Sequence, residues 1–284
     1  MAISTLCCRG TLLDISTPIV MGILNCTPDS FSDGNPDLTT EMILNRAQKM
    51  LSDGASILDL GGQSTRPGSV RIDPTTESNR VIPAIRAIHQ QFPDAIMSID
   101  TYHHAVAEQA IAAGASIVND ISGGNFDANM INLVAQLRVP YICMHIQGTP
   151  ETMQVNPDYQ SVVQEVFDAL MRKTDQCRNK GIHDLVLDPG FGFGKNIRHN
   201  FELLKGLSYF KQLDCPILLG ISRKGMIYRS LNILPNEAVN GTTALHMIGL
   251  MNGANILRTH DVREAVEAIT LYNEYKKTAP FGAV

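Results

Sequence analysis

The chain has 284 residues, 44% of them hydrophobic and 18% charged, with a net charge of −5. This is ordinary globular composition, long enough to bury a core without staples and close to the ~250 residues of one (β/α)8 barrel, so a single domain over 1–284 is expected. No Lys/Arg run marks a nucleic-acid surface, no basic segment leads into a long apolar stretch, and no apolar run nears the ~20 residues of a membrane span; a cytoplasmic protein is expected. Six cysteines (7, 8, 26, 143, 177 and 215) are scattered without a CxxC pair, which points to free thiols rather than disulfides or zinc.

Short runs rich in Ile, Leu and Val alternate with helical patterns from end to end. The first strand is Ile19–Asn25, followed by a loop rich in Pro, Asp and Ser and a helix near 40–53. Ile57–Gly62 is the second strand; its loop, Gly61 to Gly68, leads to a helix near 77–91. Ile96–Thr101 and Ile117–Ser122 follow, with helices near 103–113 and 127–136. Tyr141–His145 precedes the clearest helix, Tyr159–Lys180, where Val162, Val163, Val166, Phe167, Leu170 and Met171 make one apolar stripe. Leu185–Pro189, Ile217–Ser222 and Ile256–His260 complete eight strands, with helices near 199–210, 237–252 and 262–277. Continuously apolar strands are buried on both faces, as parallel strands are.

A weak repeat marks three of the junctions: Gly54, Gly114 and Gly253 each stand where a helix must end before a small residue and a strand. The loops leaving the first, second and sixth strands are long, and polar residues gather at strand C-terminal ends: Asn25, Asp100, Asn119, His145, Asp188, Ser222 and His260. Barrel enzymes place their chemistry on that face. An open doubly wound sheet suits this ring of polar ends less well, because it gathers ligands at one switch point.

Asp188-Pro-Gly-Phe-Gly-Phe-Gly-Lys195 resembles a phosphate loop but fits neither the dinucleotide nor the Walker A spacing; it reads as a turn after the sixth strand. Asp188 itself needs a partner, since burying a lone carboxylate is costly. Asp100 and Asn119 taken singly fit a helix cap as well as a site. Together with Asp188 they suit a flat heterocycle with a donor edge, such as a 2-amino-4-oxopyrimidine. Arg66, Arg223, Lys224, Arg258 and His260 lie on loops or strand ends, and the loops after the last two strands are the usual phosphate site of this fold. No His/Cys/Asp cluster has transition-metal spacing; Mg2+ held mostly by phosphate oxygens is compatible with the sequence.

Taken in order, these segments resemble the dihydropteroate synthase family. The matches are Met21 to Asn25 with Thr27 to Gly34, Ser64 to Gly68, Ser98 to Thr101, Asn119 to Ile121, Asp188 to Lys195, Ser222 to Lys224 and Arg258 to Asp261. The resemblance implies condensation of 6-hydroxymethyl-7,8-dihydropterin diphosphate with p-aminobenzoate by an SN1-like route, in a homodimer that sulfonamides inhibit. It implies that Asp100, Asn119 and Asp188 hold the pterin edge with Lys224 near the oxo group. Arg258, His260 and Thr65 would meet the phosphates, Asn25 would help hold Mg2+, and Pro67 would belong to the substrate-binding loop. Asp33 would stabilise the cation, Arg66 would hold diphosphate and help form the p-aminobenzoate pocket, and Met144 and Phe193 would supply apolar contacts. Two positions depart from the family pattern: Gln63 where many members carry Glu, and Gly225 where many carry Ser. A methyltetrahydrofolate methyltransferase-type barrel would need neither Thr65-Arg66-Pro67 nor the diphosphate cations. A non-catalytic helper subunit would be expected to lack Asp33, Arg66 or Lys224.

Overall fold

The computed structural model describes residues 4–27, 40–66 and 68–278. It opens with an antiparallel hairpin, β1 (Thr5–Cys8) and β2 (Thr11–Asp14), followed by eight parallel strands: β3 (Ile19–Asn25), β4 (Ile57–Gly61), β5 (Met97–Asp100), β6 (Ile117–Asp120), β7 (Tyr141–Met144), β8 (Leu185–Asp188), β9 (Leu218–Leu219) and β10 (Ile256–Thr259). The sheet runs β8-β7-β6-β5-β4-β3-β10-β9. A parallel bridge between Leu187 and Ile217, with the Leu187 amide donating to Pro216 O at 2.9 Å, joins its two edges into a barrel.

The helices between strands are α1 (Thr40–Ser52), α2 (Pro74–Gln91), α3 (His104–Ala113), α4 (Met130–Leu137), α5 (Val162–Asn179), α6 (Ile197–Lys205), α7 (Gly225–Leu231), α8 (Val239–Met251) and α9 (Val262–Lys277). The three junction glycines have φ of 99°, 133° and 101° at Gly54, Gly114 and Gly253, the left-handed turn that the repeat predicts and that side chains with a Cβ resist.

Several elements differ from the sequence reading. The segment 199–210 is two pieces, because α6 stops at Gly206 and the chain tightens into a 3-10 turn over Leu207–Leu213. α2 begins at Pro74, where the Asp73 carboxylate caps the amides of Thr75 and Thr76 and Pro occupies a position with no helical donor to lose. The hairpin and α7 are additional, and the seventh strand shrinks to two residues.

Packing separates into two layers. Outside the sheet, strand side chains such as Leu58, Leu60, Val118 and Leu219 pack with the helices in one large core. Inside the barrel, Ile19, Met21, Ile57, Ile117, Ile142, Val186, Leu218 and Ile256 form a second, with Leu6, Cys8 and Ile15 of the hairpin segment packed among them. The Cys7 amide reaches Asp184, just before β8, and the Arg9 guanidinium reaches Ile111 O on α3. The hairpin therefore stoppers the N-terminal end of the barrel.

Candidate active site

Side chains alternate across a strand, so the interior position two residues beyond each apolar one faces the other end of the barrel. There the interior changes character. After Ile57 comes Asp59, after Ile117 comes Asn119, after Ile142 comes Met144, after Val186 comes Asp188 and after Ile256 comes Arg258. Arg258 Nε donates to Asp59 Oδ2 at 2.6 Å, and a terminal guanidinium nitrogen donates to Asp100 Oδ2, also at 2.6 Å. Asn119 Nδ2 donates to the same Asp59 oxygen at 3.1 Å. Asp59 is fully buried, and its Oδ1 has no partner among the described residues.

This layer is electrostatically tight. Burial pushes the Asp100 carboxyl up to about 7, against the pull of Arg258 and with Asp59, Asp120 and Asp188 adding to the rise. Burial also raises Asp188, which Lys224 and the Gly190 amide oppose. For Arg258, desolvation is outweighed by Asp59 and Asp100, which hold the guanidinium above its ordinary value. Asp188 Oδ1 accepts from the Gly190 amide at 2.7 Å.

Lys224 enters from the opposite side. Arg223 before it has φ of 54°, a strained conformation for a side chain of this size. It is pinned by an ion pair to Asp261 and by its amide on Thr242 Oγ1. That turn aims the Lys224 amine at Phe191 O and over the Phe193 ring, 4.6 Å from its centroid. Burial lowers the amine to about 8, with Asp188 opposing. Phe193 and Met144 sit in one apolar cluster with Tyr102, Ile121 and Met153. Ser222 Oγ lies 3.0 Å from His260 Nδ1 and accepts from the His260 amide. The His260 ring keeps an exposed edge, but lost hydration at the rim and the cations Arg258 and Arg223 lower its pKa, so it is neutral at pH 7.

The sequence-predicted residues Asp100, Asn119, Asp188, Lys224, Arg258, Met144 and Phe193 thus meet in one mouth, and His260 stands at its rim. Asn25 ends β3, registered beside Gly61, which is in turn registered beside Asp100. Thr65 is half-buried and Arg66 exposed on the loop after β4; Arg66 is close enough to contribute to the repulsion on His260. Asp33 and Pro67 lie outside the described residues. Gln63 has a visible use: its amide nitrogen donates to the Tyr102 hydroxyl while its oxygen accepts from the Ile72 amide at 3.2 Å. Gly225 opens α7, and a Cβ there would have the Arg229 and Tyr228 side chains 3.5 and 3.6 Å away.

Two residues escape the sequence reading. Asp59 lies mid-strand in Ile-Leu-Asp-Leu, and a lone acid inside an apolar run was the available signal. Lys195, read as part of a turn, is 2% exposed and donates to Gly190 O and Phe193 O at 2.9 and 3.1 Å. Among the described residues no group of three or more His, Cys, Asp or Glu is placed to hold a metal ion. A cation here would have to take most of its oxygens from a ligand.

A family model described as "Pterin binding enzyme" matches residues 21–260. The chain is 43% identical over 263 residues to the dihydropteroate synthase of Escherichia coli strain K12, covering 92% of this chain and 93% of the relative. It is 39% identical over 262 residues to that of Haemophilus influenzae, covering 92% and 94%. Among solved structures it is similar to Yersinia pestis dihydropteroate synthase with a sulfonamide drug complex, with a TM-score of 0.92 and 41% identity over 96% of this chain and all of that one. It is also similar to Xanthomonas albilineans dihydropteroate synthase in complex with 7,8-dihydropteroate, with a TM-score of 0.88 and 35% identity over 97% and 100%.

Proposed function

The chain belongs to the pterin-binding enzyme family, among its dihydropteroate synthases, and from that membership we propose how the residues of its barrel mouth divide the work. The reaction joins 6-hydroxymethyl-7,8-dihydropterin diphosphate to p-aminobenzoate and releases diphosphate, a step of folate biosynthesis. The observation that carries the assignment of roles is the buried layer Asp59–Arg258–Asp100 with Asn119 and Asp188 beside it.

Asp188 takes the pterin's ring N–H and exocyclic amine, a two-donor edge that suits one carboxylate. Asn119 and Asp100 bind the neighbouring heteroatoms, and Lys224 donates to the oxo group. Arg258, held flat between two carboxylates, lies against the ring and with His260 and Thr65 faces the diphosphate. Leaving of diphosphate gives a pterin-methyl cation, which Asp33 stabilises; the neutral aniline nitrogen attacks it without prior deprotonation, and the anilinium formed then loses its proton to solvent. Arg66 holds the leaving group and, with Phe193, helps form the p-aminobenzoate pocket. Preorganised charge supplies most of the acceleration in such a route.

The Asn25 carboxamide offers one neutral oxygen at a strand end, which fits a hard cation completed by diphosphate oxygens. Bound Mg2+ would offset charge on the leaving group. A homodimer is supported by apolar side chains exposed on adjoining helices, Ile248 and Met251 of α8 with Leu271 and Tyr275 of α9. Free thiols throughout fit a reducing, cytoplasmic setting.

The test is diphosphate release by purified protein with and without p-aminobenzoate and Mg2+. Release should depend on p-aminobenzoate, be blocked by a sulfonamide, and fall by about 100-fold or more in Asp188→Asn, the loss typical of one preorganised charged contact. Near-normal kinetics in that variant would remove Asp188 from the pterin site.

A further inference from the structure

We infer that Lys195 and His145 form a buried positioning pair that fixes the loop after β8, and through it the Phe193 ring against which p-aminobenzoate binds. The inference rests on the synthase reading of the mouth and adds two residues that contact neither substrate.

Lys195 precedes α6, yet its side chain turns back beneath its own loop. An ammonium has three hydrogens, and three acceptors surround this one: Gly190 O at 2.9 Å, Phe193 O at 3.1 Å and His145 Nδ1 at 3.0 Å. The set is complete. The two carbonyls can only accept and an ammonium has no lone pair, so the His145 ring, kept neutral by burial and by Lys195, accepts at Nδ1 and carries its own proton on Nε2. Lys195 is therefore the donor, and its hydrogens tie both ends of the 190–193 turn to the residue that follows β7. Burial lowers the amine to about 7; Asp188 opposes that fall and Lys224 adds to it. Beyond His145 lie the Tyr159 ring, at 6.3 Å, and then His199 against Tyr159.

The backbone shows why a buried donor is needed. A Cβ on Gly190 would stand 1.8 Å from His145 O, and one on Gly194 would stand 2.4 Å from Gln147 O. The loop after β8 lies flush on the one after β7, so water has little access to the carbonyls that the amine reaches. An unpaired buried carbonyl is expensive, and without Lys195 Gly190 O would keep only the Phe193 amide at 3.2 Å and the turn would have to open to hydrate Phe193 O. The outer side of the loop is held separately: Asn200 accepts from the Gly192 amide at 2.6 Å and donates to Lys195 O at 3.2 Å. Loss of Lys195 would thus free the inner side, where Phe193 carries its ring beneath the Lys224 amine. Asp188 keeps its contacts to the pterin edge, being fixed by β8.

The test uses the full chain carrying Lys195→Met, with kcat, KM for each substrate, Kd for an unreactive pterin and amide exchange over residues 190–194. The expected result is a KM for p-aminobenzoate raised about tenfold, pterin Kd changed less than about threefold, and faster exchange in the loop. His145→Leu removes the third acceptor and should raise the same KM, while His145→Gln, which restores an acceptor oxygen, should recover most of the loss. These two variants carry the test if Lys195→Met does not fold. Unchanged KM and exchange, an equal loss of pterin and p-aminobenzoate binding, or identical behaviour of the Leu and Gln variants would overturn the pair. A wild-type protein that releases no diphosphate would remove the synthase reading instead, and the substrate-free exchange measurement would still decide whether Lys195 holds the loop.

Discussion

The two halves of the barrel interior are built by the same strands and obey opposite rules. Toward the hairpin, Ile57, Ile117, Ile142, Val186 and Ile256 fill the bore with hydrocarbon. Two residues further along those strands stand Asp59, Asn119, Met144, Asp188 and Arg258. The lower layer gains stability from close packing, at roughly 25 cal/mol per Å² of apolar surface removed from water. The upper layer carries buried charge that is tolerated only because each group has a partner, and such pairs contribute little net stability. Stability and chemistry are thus separated by about 7 Å of strand, two residues of rise.

The strongest way to break that separation is Arg258→Met. It should abolish measurable turnover and also destabilise the fold by about 3–5 kcal/mol, because Asp59 and Asp100 would face each other without their shared cation. Burial already pushes the Asp100 carboxyl up to about 7, so urea denaturation should show the loss to be larger at pH 8 than at pH 5, where that carboxyl can take up a proton. A pH-independent loss would mean that Arg258 acts by packing alone. Ile142→Ala probes the other layer. It should lower stability by about 2–5 kcal/mol and leave kcat/KM within about twofold at 20 °C; a loss of turnover comparable to that of Asp188→Asn would show that the layers are coupled.

The smallest effect is expected from an acid in neither layer. Glu77 of α2 is buried beneath Gly62 with one oxygen unpartnered, and burial raises its carboxyl to about 8. With a folded pKa above the unfolded value of about 4.3, its contribution is fully present below the unfolded value and is lost as pH rises through about 8. Glu77→Gln should therefore flatten the fall in Tm between pH 5 and pH 9. An unchanged slope would place that fall on Asp100 or another carboxyl.

Much of this was legible from residues alone, because periodicity and apolar runs are local. Seven of the eight strands begin and end within two residues of their predicted limits. The exception, Ile217–Ser222, keeps only Leu218 and Leu219 in the ladder, since it lies at the seam where pairing depends on how the barrel closes. The hairpin escaped because four-residue strands with mostly exposed side chains carry too weak an alternation. α7 escaped because seven residues behind the Lys224 turn are too few for a helical stripe. In the site, strand-end polarity pointed to Asp100, Asn119 and Asp188. Asp59 shows locally as a lone acid in an apolar run, but its partner Arg258 is 199 residues later, and the partner of Lys195, His145, is 50 residues earlier. Pairings over such separations leave no local pattern.

The hairpin that stoppers the barrel also sets an order of events. Residues 5–14 are synthesised before every strand of the barrel, but the side chains that seat Leu6 and Cys8 include Ile117, Ile142, Val186, Leu218 and Ile256, spread over all that follows. A stopper has no bore to enter until the last strand has closed the wall. The hairpin must wait for β10, and the price is a long loop closure made late. Until then its apolar side chains stand exposed at the stage when a growing chain is most prone to wrong partners.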